Sequence, residues 1–193
     1  MNTEIIVILD RSGSMGSIAA EAIAGYNMFL EEQRLVPGQA RVTRVQFDNL
    51  YQIDHQAIPL ASSQPLDRRT FVPRGMTALN DAIGRTLEEQ GRRIAQEGWA
   101  EKVVVCILTD GAENASREYT APRIKQMIEH AQNEAGWVFV FLAANQDAFL
   151  TGAGYGISAA TTANFAANAA GTQSAYQTIS AHVTRARTTG LRP

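Results

Sequence analysis

Five side chains, Asp10, Ser12, Ser14, Thr77 and Asp110, supply two carboxylates and three hydroxyls. Three of them fall in Asp10-Arg11-Ser12-Gly13-Ser14, where alternate positions carry oxygen donors and a glycine permits a tight turn. This stretch follows directly on Ile5-Ile6-Val7-Ile8-Leu9. A continuous apolar, β-branched run of that length suits a strand buried on both faces of a parallel sheet. The loop after such a strand lies at the carboxyl edge of the sheet, where open α/β proteins place their ligands. Carboxylate and hydroxyl oxygens are hard donors, and Mg²⁺ or Mn²⁺ prefers them, with Ca²⁺ a poorer match.

The elements that must position these groups can be followed along the chain. Ile18, Ala22, Ile23, Tyr26, Phe29 and Leu30 recur at helical spacing, so a helix is expected from about Ser17 to Leu35, ended by Pro37-Gly38. Arg41–Phe47 and Leu50–Ile53 are strand-like runs joined by Asp48-Asn49, which reads as a hairpin whose second strand, meeting Pro59, lies at an edge. Residues 59–76 hold Pro59, Pro65 and Pro73 with few apolar positions, and suit a surface connection with at most one short helix. Thr77 opens a second helical pattern through Leu79, Ala82, Ile83, Leu87 and Ile94. Lys102–Leu108 is the most apolar strand candidate, and it too stops at an aspartate, in Thr109-Asp110-Gly111. A helix from Pro122 and a strand over Trp137–Leu142 follow. Beyond that, a short helix near Gln146–Leu150, a short strand near Thr162–Ala166 and a closing helix over Ser174–Arg187 are expected.

This alternation predicts an α/β fold: a doubly wound, mostly parallel open sheet with one antiparallel edge strand and helices on both faces. In such a sheet the first strand moves outward through the hairpin, and the chain then crosses back to lay Val103–Leu108 on its other side. Asp10 and Asp110 would then end neighbouring strands at the switch point, with Thr77 facing the same crevice.

With 193 residues and 45% apolar content, the chain fits one well-cored domain over residues 1–193. A formal net charge of −2 does not call for nucleic acid or an anionic membrane as partner. No apolar run approaches a membrane span, and Met1-Asn2-Thr3-Glu4 lacks the basic start of a signal peptide. The lone Cys106 sits in an apolar run, and a cytoplasmic protein is the simplest expectation.

Asp-x-Ser-x-Ser in Asp10–Ser14, a distant Thr in Gly75-Met76-Thr77 and an Asp after a later strand in Leu108-Thr109-Asp110-Gly111 together resemble the metal-ion-dependent adhesion site of von Willebrand factor type A domains. The resemblance runs from about Ile5 to Leu142 and leaves residues 143–193 divergent. It implies a Rossmann-like fold in which Ser12 and Ser14 coordinate the metal through their hydroxyls. Thr77 would bind directly or through water, and Asp10 and Asp110 largely through water. It also implies a non-enzymatic module that docks an Asp or Glu of another protein. Intracellular bacterial relatives work beside AAA+ ATPases or kinases and phosphatases, so such a partner, on a separate polypeptide, is expected, and no small-molecule substrate.

The competing readings are a metal-dependent phosphohydrolase and a subunit whose metal only stabilises the fold. An aspartyl-phosphate enzyme would need a second Asp where Ser12 stands. No P-loop is present, and Gly13-Ser14-Met15-Gly16 misses the spacing of a nucleophile elbow. Taken singly, Asp10, Ser12, Ser14, Thr77 and Asp110 suit helix capping as well as metal binding. Glu113 and Asn114 are expected in a solvated loop, and Asp147 with Asn145 at the margin of the crevice. His55, His130 and His182 lack ligand spacing. Arg92, Arg93, Arg185, Arg187 and Arg192 suit solvated faces.

Overall fold

The computed structural model describes residues 1–145 and 147–189. Six strands form one sheet: β1 (Asn2–Asp10), β2 (Gln39–Phe47), β3 (Tyr51–Pro59), β4 (Lys102–Thr109), β5 (Val138–Ala143) and β6 (Thr162–Asn164). Their order is β3-β2-β1-β4-β5-β6, and only the β2–β3 pair is antiparallel. The helices are α1 (Ala19–Leu35), α2 (Leu79–Glu97), α3 (Ala121–Glu134), α4 (Ala148–Gly154) and α5 (Ala169–Thr189).

The central strands are apolar throughout because both faces are covered. Ile5, Val7 and Leu9 of β1 point into one core, with Tyr26 and Phe29 of α1 and Tyr176, Ile179 and Val183 of α5. Ile6 and Ile8 point into the other, with Leu79, Ile83 and Leu87 of α2 and Ile124 and Ile128 of α3. β4 divides the same way, Val104, Cys106 and Leu108 to the first and Val103, Val105 and Ile107 to the second. That is the period-2 alternation of a strand expressed within a run that has no polar face. Where α1 meets α5, a Cβ on Gly25 would lie 2.2 Å from the Tyr176 ring, so only glycine lets the helices approach this closely.

Several expectations are corrected here. β3 runs well past Ile53 to Pro59, because an edge strand tolerates a proline and a bulge near Ala57, whose φ is 52°. The 59–76 connection is not wholly superficial: Leu66 and Phe71 are buried in the α1–α5 core. α5 starts at Ala169, not near Ser174, because the Asn168 side chain accepts from the Gly171 N–H at 2.9 Å and opens the helix early.

Two arginines expected in solvent are internal. Arg93 forms an ion pair with the buried Glu4 at 2.7 Å, and Thr43 donates to the same carboxylate. Arg187 is 5% exposed and donates to the carbonyls of Gln33, Val36 and Gly38, closing the end of α1. Burial pulls its pKa down. Arg92 and Arg185 are exposed as expected, and Arg192 lies outside the described residues.

Candidate metal centre

Parallel pairing of β1 with β4 puts their carboxyl ends side by side, with Leu9 opposite Leu108. Asp10 closes β1 and Asp110 follows β4 directly. After Asp10 the chain turns through Arg11 and Ser12 into a short 3-10 turn, Gly13–Ile18, which carries Ser14 back over the strand ends. Thr77 sits just before α2. All five expected residues therefore meet at one sheet edge.

Their contacts are specific. Asp10 Oδ1 accepts the Ser12 N–H at 2.6 Å and Oδ2 accepts the Thr109 hydroxyl at 2.5 Å. The Ser12 and Ser14 hydroxyls are 3.1 Å apart, and Ser14 donates to Asp110 Oδ1 at 2.6 Å. A Cβ placed on Gly111 would lie 3.1 Å from Thr77 Oγ1, 3.5 Å from Ser14 Oγ and 4.0 Å from Ser12 Oγ. Three hydroxyls therefore surround the one residue of this loop that has no side chain. Asp110 Oδ2 is buried and lacks a hydrogen-bond partner. Such an orphaned carboxylate oxygen is costly unless something cationic or its hydration reaches it. The donor set and that orphan both fit a hard divalent cation.

Simple helix capping does not account for these residues. The 3-10 turn after Ser12 and helix α2 have no side-chain cap of their own at Ser12 or Ala78. Asp147 does cap a helix: it accepts from Leu150 N at 3.1 Å and opens α4. Asn145, in left-handed backbone at φ 55°, donates to Asp110 O at 3.1 Å.

Burial pushes the Asp10 carboxyl up to about 6, against hydrogen bonds from Thr109 and Ser12 that favour its charge. Burial also raises Asp110, partly offset by the Ser14 hydroxyl. In the metal-free protein the native state thus binds more protons at Asp10 than the unfolded chain does. Stability from this group is then lost as pH rises from 3.8 through about 6. Thermal melts of wild type relative to Asp10→Asn, from about pH 4 to about pH 7, are expected to record a loss of about 2 kcal/mol. A difference that grows in the wild type's favour with pH would contradict it.

Several residues that fix this arrangement carried no motif. Asn114 and Thr77 bond reciprocally: Thr77 N donates to Asn114 Oδ1 at 2.9 Å, and Asn114 N to Thr77 O at 3.0 Å. Glu113 accepts the Asn80 N–H at 2.8 Å, and Asp81 accepts the N–H groups of Arg117, Glu118 and Tyr119. Glu113, partly buried, and Asn114, exposed as expected, therefore belong to a solvent-facing loop that also caps α2 from outside. The available signal was Ala78 at a helix start, a residue that cannot cap, which implies a cap from elsewhere. Asp48, placed in a hairpin turn by its sequence, is buried, and its Oδ2 accepts Arg11 Nε at 3.1 Å and Arg74 Nε at 2.9 Å. Asp48 O also accepts the Ala78 N–H at 2.9 Å, so it joins the Arg11 loop to the Thr77 loop. Among the described residues no group of three or more His, Cys, Asp and Glu side chains is placed to hold a metal. None of the described helices is long and apolar enough to cross a membrane.

No protein-family model and no curated protein sequence matches the chain. Solved structures do. Proximal thread matrix protein 1 from the mussel byssus superposes with a TM-score of 0.65 at 14% identity, over 96% of this chain and 46% of that one. Another structure of the mussel protein, with zinc in its metal-ion-dependent adhesion motif, gives 0.52 at 17% identity, over 76% and 39%. A von Willebrand factor type A protein from Catenulispora acidiphila gives 0.59 at 16%, over 95% and 42%. The manganese-loaded TRAP protein of Plasmodium vivax gives 0.56 at 14%, over 90% and 71%. The chain thus spans less than half of the mussel and Catenulispora chains, and at these identities the likeness is one of fold.

Proposed function

Because this chain has the von Willebrand factor type A fold with Asp10, Ser12, Ser14, Thr77 and Asp110 gathered at one sheet edge, we propose that it is a divalent-cation-dependent protein-docking module. The observation that carries the proposal is the ring of Ser12, Ser14 and Thr77 hydroxyls around Gly111, beside the orphaned Asp110 Oδ2. Ser12 and Ser14 hold the ion through their hydroxyls, and Thr77 joins them directly or through water. Asp10, with an oxygen each on Ser12 N and Thr109 Oγ1, orients the loop and acts through water. Asp110 supplies the nearby negative charge. Mg²⁺ or Mn²⁺ suits such donors best, and manganese and zinc occupy the two fold relatives named for their metals. When bound, the ion supplies an electrophilic point held mainly by neutral oxygens, which favours a carboxylate from outside the chain.

The partner in this proposal is a separate protein that offers an Asp or Glu, such as an AAA+ ATPase or a kinase or phosphatase, and the site performs no turnover. The test is Mg²⁺-dependent partner capture, repeated with a chelator and with Ser12→Ala/Ser14→Ala. Equal capture under all conditions would make any metal structural. Mg²⁺-dependent hydrolysis of an aryl phosphate, abolished by Asp10→Asn, would establish the phosphohydrolase instead.

Gly111→Ala leaves every proposed ligand intact but puts a methyl group 3.1 Å from Thr77 Oγ1. It is expected to weaken Mg²⁺ binding about tenfold in calorimetric titration, since crowding the cradle displaces the hydroxyls it is built from. Unchanged affinity would move the ion away from this cradle.

A further inference from the structure

We infer that the partner is held at a second point, through another acidic side chain seated in an arginine-lined groove beside the cation. This rests on the docking function proposed above and names the chemistry of the segment that docks. The groove, about 590 Å³, is lined by Arg11, Arg44, Arg69 and Arg74 together with Asp54 and Val72. It adjoins the metal centre directly. Arg11 precedes Ser12, Arg74 N donates to Arg11 O at 2.8 Å, and Gly13 N donates to Gly75 O at 3.2 Å.

Its charge is unbalanced. Arg11 and Arg74 share a single oxygen of Asp48, whose other oxygen accepts the Leu50 N–H. Arg44 is matched by Asp54. Arg69 is exposed, and the nearby Asp67 carboxylate is already engaged by the N–H groups of Arg69 and Thr70 and by the Thr70 hydroxyl. Four guanidinium groups therefore face three carboxylates, the buried Asp48, the partly buried Asp54 and the exposed Asp67, which leaves an excess positive charge in a chain whose overall formal charge is −2. Arg74 is 53% exposed, so its fork is open to an incoming carboxylate. Val72, in the groove lining, and Met76, next to Thr77 in the chain, are 47% and 53% exposed and offer apolar ground. The matching occupant is an extended segment with one acidic residue on the cation, an apolar residue after it and a second acidic residue at Arg69 and Arg74.

The test uses a library of peptides with a fixed central Glu and random flanks, selected on the whole protein in Mg²⁺. The expected outcome is enrichment of a second Asp or Glu on one flank. Arg69→Glu, an exposed position, should weaken the selected peptide about tenfold and erase that flanking preference, while the central Glu stays Mg²⁺-dependent. Mg²⁺-dependent selection without a flanking acid, or the same preference in Arg69→Glu, overturns this inference alone. Absence of any Mg²⁺-dependent selection overturns the docking function and this inference with it. Arg69-dependent binding of a single-stranded oligonucleotide without Mg²⁺ would assign the groove to nucleic acid and overturn the inference.

Discussion

Ser12→Ala/Ser14→Ala is expected to lower Mg²⁺ and Mn²⁺ affinity by at least about 100-fold, because it removes two of the three hydroxyls ringed around Gly111. Calorimetric titration measures this directly. Thermal melts supply an independent reading: a cation at 100 times its Kd adds about 2.7 kcal/mol to the wild type, a gain the double variant should lose. The metal-free variant should lose some stability as well: Ser12 is buried, and removing Ser14 takes from the buried Asp110 Oδ1 its hydroxyl donor. That loss costs about 1–3 kcal/mol. A variant that still melts higher with Mg²⁺, by the wild-type increment, would place the ion elsewhere.

Asp48→Ala is the second large effect. It leaves Arg11, whose side chain is 6% exposed, buried without its anion, and Arg74 without a partner at the same oxygen. Removing one member of a buried ion pair costs about 3–5 kcal/mol, because the surviving charge stays desolvated. Urea unfolding measures it. Asp48→Asn keeps the shape and the acceptor for Leu50 N but loses the charge, and should fall between wild type and alanine. Both variants should weaken cation binding as well, since Asp48 joins the Arg11 turn to the loop bearing Thr77. An Asp48→Ala protein as stable as wild type would mean that Arg11 reaches solvent and that the linkage is dispensable.

The strands were legible because their cause is local. β1, β4 and β5 are runs of β-branched and aromatic residues long enough to be covered on both faces, and each ends where polar residues begin. The Asp10–Ser14 motif was legible for the same reason, its donors being two residues apart. β6, three residues long, was marked only faintly, and α5 began earlier than its apolar stripe suggested because Asn168 opens it.

What the chain order could not supply was the pairing of charges. Arg93 reaches Glu4 across 89 positions, Arg11 reaches Asp48 across 37, and Arg187 reaches the Gln33 carbonyl across 154. An arginine looks the same in sequence whether it meets solvent or a buried carboxylate, since burial depends on which helix covers it. The amino-acid sequence by itself determined the α/β alternation and the buried strands, consequences of short-range pattern, and pointed to five candidate oxygen donors. The adjacency of β1 and β4 followed from the alternation of elements, and their parallel register bears it out. Tertiary structure alone decided that Glu113 and Asn114 lock the Thr77 loop and that Arg11 and Arg74 both reach the one carboxylate of Asp48. Those contacts join loops far apart in the chain, which only the folded sheet edge brings together.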